Sequence, residues 1–385
     1  MASLYAPYKA VGYVTDGFPF AVNHLGTERF LTTSIGTSFQ VYRLDRLTVC
    51  LVSKNTPSNE KISCLQVLGH ETFCGVGKDI VVYNRSDIVR VYRGEESEGK
   101  IMGLHIVGNV LVSYDDACIM KVIDVKERVV ISIIKPLNST IKKDKSKGSS
   151  GKYAAAGVSI TSLMHPATYV NKFVVGYSNG IIELWNVRSQ KIIHSFQSHI
   201  SCLKKLKETN SYGMDNDSDL DDDGDFICPA VTCIEQSPAT DVVAVGFTSG
   251  DILIMNLKLD KVLFFYKQDM SAVTSLSFRT DSSADKYPYL VSGGSDGRLH
   301  VWNLGVAATT SDGIDDADEE ETIIIMDRKL ECSIQEAHMK KVGRVHFLYG
   351  EPVMISWSQD NTLKVTLTIK NTVIVNLLYY LIILA

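Results

Sequence analysis

The sequence lacks the features that mark secreted, membrane-spanning or zinc-binding proteins. None of its eight cysteines forms a Cys-x-x-Cys pair, so neither a zinc ribbon nor a redox pair is predicted. Residues 1–21 have no basic start followed by an apolar segment, which argues against a secretory signal. The apolar run Thr372–Leu384 is shorter than the roughly 20 residues that span a bilayer. We therefore expect an intracellular protein with reduced thiols and no membrane span.

The chain also lacks a complete catalytic or phosphate-binding motif. Before Gly77-Lys78, Thr72 occupies the position of the first glycine of a phosphate-binding loop, and Asp79 replaces the Ser or Thr that should follow the lysine. The acidic stretch Asp215–Asp225 resembles a calcium loop, but the position of the bidentate ligand falls on Ala230. No serine or cysteine lies in a recognisable nucleophile context. We predict no enzymatic activity, no cofactor and no metal site.

What the sequence does contain is one pattern of three short strands, present twice in succession. The copies are Val231–Ser237, Asp241–Phe247 and Ser249–Asn256, then Val273–Phe278, Tyr289–Gly294 and Ser295–Asn303. Each run is alternating or fully apolar, and turn residues separate the runs at the same places. A period of about 47 residues, with a turn that leads into a strand ending in Trp-Asn, is typical of a WD-type β-propeller blade. Because single blades do not fold alone, further copies are expected.

A strand that ends on a large residue, each time after a turn, recurs along the chain. These strands are Phe39–Tyr42, Ile80–Tyr83, Ile119–Ile123, Ile181–Trp185, Ile252–Met255, Leu299–Trp302 and Leu363–Val365. We therefore predict an all-β fold, a seven-bladed WD40 β-propeller over residues 1–365. Tyr8–Val14 reads as an isolated strand, and the seventh unit has no clear fourth strand. We predict that this N-terminal strand completes the last blade and closes the ring.

Three loop insertions lengthen the later repeats, at about 136–156, 204–227 and 306–322. None shows the apolar periodicity needed for packing, so all three are predicted to be disordered. The net charge is −5, and the acidic residues of the second and third insertions exceed it, which leaves the ring near neutral or slightly basic. The first insertion carries Lys142, Lys143, Lys145 and Lys147. Contact with RNA phosphates or nuclear import is one interpretation of these lysines, and a solubilising loop is the other.

A second set of residues is predicted to stabilise the blades rather than to bind a ligand. Trp185 and Trp302 end third strands, and Asp296 lies in the turn before the strand of Trp302. His70 and His199 lie at blade starts, where propellers often bury a histidine in a hydrogen-bond network with Trp and Ser or Thr. The inner strands are predicted to contribute packing residues, namely Val231, Ile234, Val273 and Leu276.

Residues 366–385 form an apolar tail that departs from the repeat. Thr366 stands where a blade-ending tryptophan is expected, and no turn residue or charge follows Asn371. We predict that this tail is not part of the native design and reflects a truncation. A membrane tail anchor remains the alternative.

Several stretches resemble one known family: Ser162–Lys172, Gly180–Val187, Ser237–Gly246, Ser275–Asp281 and Leu348–Val353. The family is U3 small nucleolar RNA-associated protein 21, called WD repeat-containing protein 36 in animals. The resemblance is specific because His165-Pro166, Ser237-Pro238 and Arg279–Asp281 lie in loops, where propellers ordinarily diverge.

The resemblance implies two propellers in tandem followed by a helical domain. It further implies a non-enzymatic scaffold of the small-subunit processome (the U3 snoRNP) that acts in 18S pre-rRNA processing in the nucleolus. The implied partners are other WD40 subunits, U3 RNA and pre-rRNA, with no small-molecule substrate. The alternative is a generic WD40 adaptor in cytoplasmic signalling or ubiquitin-ligase assembly.

Overall fold

The computed structural model of the chain describes residues 20–46, 48–95, 98–135, 158–210, 226–268, 271–279, 289–304, 330–335, 337–348 and 353–367. Within these ranges, 27 strands form seven antiparallel sheets. In each sheet, strands that follow one another in sequence pair with one another, which is the arrangement of a propeller blade. The predicted seven-bladed propeller is confirmed.

The first four blades contain four strands each. Blade 1 comprises β1 (Ala21–Leu25), β2 (Glu28–Ile35), β3 (Ser38–Arg43) and β4 (Thr48–Val52). Blade 2 comprises β5 (Ile62–Leu68), β6 (Glu71–Val76), β7 (Asp79–Asn84) and β8 (Asp87–Tyr92). Blade 3 comprises β9 (Ile101–Val107), β10 (Val110–Asp115), β11 (Met120–Asp124) and β12 (Val129–Ile134). Blade 4 comprises β13 (Ile160–Met164), β14 (Lys172–Tyr177), β15 (Ile182–Asn186) and β16 (Lys191–Ser195).

A helix, α1 (Ser198–Asn210), follows blade 4. Blade 5 comprises β17 (Val231–Gln236), β18 (Val242–Phe247), β19 (Asp251–Asn256) and β20 (Lys261–Lys267). Blade 6 comprises β21 (Val273–Phe278), β22 (Tyr289–Gly294), β23 (Leu299–Asn303) and β24 (Leu330–Ile334). Blade 7 has three strands within the described residues, β25 (Val342–Phe347), β26 (Val353–Ser358) and β27 (Leu363–Leu367).

The second strand of a blade is covered on both faces by neighbouring blades, and its sequence reflects this. In β14 and β18, every residue after the first is buried, and the sequences Phe-Val-Val-Gly-Tyr and Val-Ala-Val-Gly-Phe are almost continuously apolar. The outermost strands β4, β8 and β16 are partly exposed. The core therefore lies between blades rather than within any one of them.

Apolar clusters fill the junctions between adjacent blades and show that the ring closes. At the last junction, Leu31 and Tyr42 of blade 1 pack with Ile355 and Trp357 of blade 7. Arg344 of β25 adds a hydrogen bond from Nη1 to the carbonyl oxygen of Phe20, at 2.9 Å. Tyr8–Val14 lies outside the described residues, so its place in the last blade stays a prediction.

Glycine is required in the turn between the second and third strands of two blades. Gly180 and Gly297 adopt φ angles of +82° and +86°, which residues with a side chain rarely adopt. A Cβ on Gly297 would also lie 2.3 Å from the carbonyl oxygen of His338, and one on Gly180 would lie 2.6 Å from Sγ of Cys228. These two turns therefore press against the chain that leads into the next blade.

The second insertion departs from its prediction at both ends. It was expected to be disordered from residue 204, but α1 continues to Asn210. Cys202, Leu203 and Leu206 lie on one face of this helix, and all three are buried in the cluster between blades 4 and 5. Phe226 packs against the same cluster. The prediction of disorder is therefore wrong for residues 204–210 and for Phe226, and the centre of the insertion lies outside the described residues.

The end of the propeller also lies beyond its predicted limit at residue 365. Strand β27 extends to Leu367, and Thr366 pairs with Met354 and is buried. The ring thus includes the first two residues of the predicted tail. Residues 368–385 and the whole of the first and third insertions lie outside the described residues.

Candidate functional site

The next-to-last residue of each third strand is an anchor that the blades share. In all seven blades this residue is buried: Tyr42, Tyr83, Ile123, Trp185, Met255, Trp302 and Thr366. In blades 1 to 6 these anchors are the large residues from which the repeat was recognised. In blade 7 the register places Thr366 at the tryptophan position, as expected from the sequence.

Two of the anchors donate hydrogen bonds to buried polar groups. Nε1 of Trp302 donates to Oγ of Ser292 at 2.8 Å. Nε1 of Trp185 donates to Oε2 of Glu183 at 2.9 Å, and the hydroxyl of Tyr177 donates to the same oxygen at 2.9 Å. Burial raises the pKa of Glu183, whereas its two donors lower it, and the net shift is upward.

The other predicted blade residues fall into different environments. Oδ1 of Asp296 accepts a hydrogen bond from the backbone N–H of Arg298 at 3.1 Å and so shapes the turn before β23. His199 is fully buried, and its Nε2 lies 2.9 Å from the carbonyl oxygen of Gly180. His70, in contrast, is exposed in the turn between β5 and β6. The interpretation of His70 as a buried network residue is therefore wrong.

The most complete histidine network belongs to His338, which the sequence analysis did not select. Its Nε2 lies 2.9 Å from Oγ of Ser356, and its Nδ1 lies 2.9 Å from Oγ1 of Thr362. Burial pushes the pKa of Asp360 up, but hydrogen bonds from His338 and Thr362 hold it well below its usual range. Its position in the sequence could have identified it, because His338 precedes the inner strand of blade 7 as His199 precedes that of blade 5.

The inner strands, which surround the central channel, carry both packing residues and polar or charged residues. Val231, Ile234, Val273 and Leu276 are buried in clusters between blades, so their predicted packing role is confirmed. In blades 2 to 7 a register shift follows the first residue of the inner strand, and such bulges turn side chains in a new direction. The fifth residues of these strands are Gln66, His105, Met164, Glu235, Ser277 and His346, of which Met164 packs in the cluster between blades 4 and 5 and Oγ of Ser277 accepts a hydrogen bond from the N–H of Phe347.

Charged groups from non-neighbouring blades meet in this channel. Glu235 of blade 5 and His105 of blade 3 both interact electrostatically with Arg344 of blade 7, which requires them to approach one another near the ring axis. Burial raises the pKa of Glu235 to about 7, against the opposing effect of Arg344. Burial lowers the pKa values of His105 and His346 to about 4. At neutral pH these histidines are therefore uncharged.

Two further predicted features bear on function. The lysines Lys142, Lys143, Lys145 and Lys147 lie outside the described residues, so their role stays a prediction. Within the described ranges, no group of three or more His, Cys, Asp or Glu side chains is placed to hold a metal ion. No helix in the same ranges is both long enough and apolar enough to cross a membrane.

Comparison with known proteins identifies relatives for almost the whole ring. The family model described as WDR36/Utp21 first beta-propeller matches residues 31–368. The U3 small nucleolar RNA-associated protein 21 homolog of Schizosaccharomyces pombe is 27% identical over 94% of this chain and 32% of its own length. WD repeat-containing protein 36 of Homo sapiens is 26% identical over 94% of this chain and 33% of its own. The chain thus spans about a third of the length of these relatives.

Solved structures show the same fold at low sequence identity. A chain of the crystal structure of the mitotic checkpoint complex matches with a TM-score of 0.63 and 15% identity, over 94% of this chain and 92% of its own. The computationally designed protein Ika8 matches with a TM-score of 0.53 and 14% identity, over 93% of this chain and 98% of its own. At these identities the likeness concerns the fold alone.

Proposed function

We propose that this chain, which belongs to the WDR36/Utp21 family through its first β-propeller, is a non-enzymatic scaffold of the small-subunit processome. The observation that carries the proposal is the family match over residues 31–368, which includes nearly all of the ring. The Schizosaccharomyces pombe relative is named for association with U3 small nucleolar RNA. We infer the same setting here, with other WD40 subunits, U3 RNA and pre-rRNA as partners, a role in 18S pre-rRNA processing, and a nucleolar location.

The ring is physically suited to this task. Its blades are fixed by apolar clusters at their junctions, so the turns that emerge on the two faces sit on a rigid frame. Glu235 of blade 5 and Arg344 of blade 7 interact electrostatically within the ring. Such a frame can hold several partners in fixed relative positions without chemistry of its own.

Depletion of the protein in cells tests the proposal. The expected result is a fall in 18S rRNA and an accumulation of unprocessed precursor on Northern blots, both restored by re-expression of the wild-type chain. Normal precursor levels after depletion would contradict the processome role. Fluorescent localisation in the same cells separates this role from that of a cytoplasmic adaptor, because only the first predicts a nucleolar signal.

The lysine cluster can be tested in the same cells. A re-expressed variant with Lys142, Lys143, Lys145 and Lys147 changed to Glu should bind less RNA if these residues contact phosphates, because each contact contributes to salt-dependent affinity. Filter binding of U3 RNA over a range of salt concentrations measures this, and unchanged affinity with an unchanged salt slope would assign the cluster to solubility.

A further inference from the structure

A cleft opens between blades 3 and 4 on the face where the inner strands end. We call it the blade 3–4 cleft, and its volume is about 480 Å³. Its walls are mainly apolar and include Val107, Val110, Val122, Ile131, Phe173 and Val187. Phe173 forms the buried floor, with the ring of His165 edge-on to it at a centroid distance of 5.3 Å. A cleft of this size accommodates one or two large side chains.

Exposed apolar residues extend the cleft onto the surface. Val129, Val130 and Ile131 follow one another on β12, the outermost strand of blade 3, and are 57%, 38% and 52% exposed. Val170, on the opposite rim, is 79% exposed. Single exposed apolar residues are common on proteins, but a contiguous set beside an apolar cleft is typical of an interaction site.

The rim that carries Val170 is held in place from blade 5. The backbone N–H of Ala167 donates to Oε1 of Gln236 at 3.4 Å, and the hydroxyl of Thr168 donates to the carboxylate of Asp241. The carbonyl oxygen of Asn171 accepts a hydrogen bond from the N–H of Val187 at 2.9 Å. Because the loop is already fixed, little ordering entropy would be lost when a partner binds.

Charges of both signs lie at the cleft, and its two cations have no ion pair within the described residues. Among the described residues, no carboxylate lies within ion-pair distance of Arg188 or Lys172, and Lys172 instead sits 4.4 Å from the ring centre of Tyr169. Asp124, the carboxylate in the cleft, accepts a hydrogen bond from the N–H of Glu127 at 2.9 Å and is thereby committed to its own turn.

The adjoining turns carry charges of both signs. Lys126, Lys191 and Glu127 are exposed there, and Asp241 adds a carboxylate that accepts the hydrogen bond from Thr168 of the rim. Burial lowers the pKa of His165, which leaves that ring neutral at physiological pH. The cleft therefore combines an apolar floor with two cations, Arg188 and Lys172, that pair with no described carboxylate.

We propose that the blade 3–4 cleft docks an extended segment of a partner protein in which apolar side chains are flanked by carboxylates. The apolar side chains would cover Phe173 and Ile131, and the carboxylates would face Arg188 and Lys172. Docking of this kind follows from the cleft itself and would occur in whichever assembly the ring serves. An RNA strand fits less well, because the floor and the exposed residues of β12 offer it no polar partner.

Blade 5 supplies matched controls. In blade 4, Oδ1 of Asn186 accepts hydrogen bonds from the N–H groups of Arg188 and Ser189, both at 3.0 Å. In blade 5, Oδ1 of Asn256 accepts hydrogen bonds from the backbone N–H groups of Lys258 and Leu259, at 2.9 and 3.0 Å. Lys258 is thus the counterpart of Arg188. Leu259, 66% exposed, is an apolar surface residue outside the cleft.

The probe is a fluorescein-labelled synthetic peptide in which leucine and phenylalanine alternate with glutamate, and its counterpart has lysine in place of glutamate. Fluorescence anisotropy should show tighter binding of the glutamate peptide. Ile131→Asp should weaken that binding about tenfold or more, as expected for an apolar contact near the centre of a small interface. Arg188→Glu should reverse the preference between the two peptides. Lys258→Glu and Leu259→Asp should change neither the affinity for the glutamate peptide nor the preference between the two peptides.

Three results would overturn the proposal. The first is equal affinity for the two peptides, or affinity that none of the cleft variants changes. The second is binding of labelled single-stranded RNA that displaces the peptide and responds to Arg188→Glu but not to Ile131→Asp, which would make the cleft a nucleic-acid site. The third is self-association in sedimentation experiments that Ile131→Asp abolishes, which would make the occupant a second copy of the chain. All four substitutions are at exposed positions, and circular dichroism verifies that each variant is folded.

Discussion

Blades 4 and 6 place a tryptophan at the same position and satisfy it with different partners. In blade 6, Trp302 donates to the neutral hydroxyl of Ser292 on the neighbouring strand. In blade 4, Trp185 donates to Glu183, two residues earlier on its own strand, and Tyr177 donates to the same carboxylate. Where a tryptophan occupies this position its indole donor is satisfied, but the fold does not specify the acceptor. The carboxylate makes blade 4 sensitive to pH where blade 6 is not.

Removal of either tryptophan should cause the largest loss in the free energy of unfolding. Trp185→Ala and Trp302→Ala each empty a site in a cluster between blades, and such substitutions cost about 3–5 kcal/mol. The free energy of unfolding, measured with urea, should fall by similar amounts in the two variants. A loss below about 1 kcal/mol in either would show that the anchor position does not hold that blade.

Removal of the acceptor in blade 4 should cause the second-largest loss in the free energy of unfolding. Glu183→Ala leaves the donors of Trp185 and Tyr177 without a partner, and each buried unsatisfied group costs about 1–3 kcal/mol. Glu183→Gln retains an acceptor and serves as the control, with a smaller expected loss. If urea unfolding gives equal losses for the two variants, the hydrogen bonds do not stabilise the blade.

Removal of the acceptor in blade 6 should have a smaller effect than in blade 4. Ser292→Ala leaves a single donor, that of Trp302, unpaired, for which we expect a loss of about 1 kcal/mol in the free energy of unfolding. The comparison fails if Ser292→Ala proves more costly than Glu183→Ala in the same urea series.

The smallest effect should be a change in how the free energy of unfolding depends on pH, caused by Glu183. Because the folded-state pKa of Glu183 is raised above 4.5, the folded chain holds this proton more tightly than the unfolded chain. The contribution of this group is therefore greatest at low pH and is lost as pH rises from about 4.5 through the raised pKa. Glu183→Gln should flatten the stability profile in that window, and Ser292→Ala should leave its slope unchanged. A steeper profile in the Glu183→Gln variant would contradict the assignment.

The repeat was predictable from sequence because alternation and turn residues are local signals. The third strands that carry Tyr42, Trp185 and Trp302 could each be recognised from a few residues. Even the unusual Thr366 was placed correctly by its spacing, although the strand continues one residue further.

The parts that could not be predicted depend on contacts between blades. Glu235, His105 and Arg344 lie far apart in sequence, and only the closed ring brings them together. Leu206 looked like part of a solvated insertion because its apolar partners belong to blades 4 and 5. His70 was misassigned because it lies in the turn between the first two strands of blade 2, whereas His199 precedes the first strand of its blade.

The most direct test of the central claim, that this ring is a processome scaffold, is to identify the RNA it contacts in cells. Ultraviolet crosslinking of the tagged chain, followed by purification and sequencing of the bound RNA, measures this. The account predicts strong enrichment of U3 RNA and of the 5′ external spacer of pre-rRNA over messenger RNA. Crosslinks spread over messenger RNA, or none above an untagged control, would contradict it.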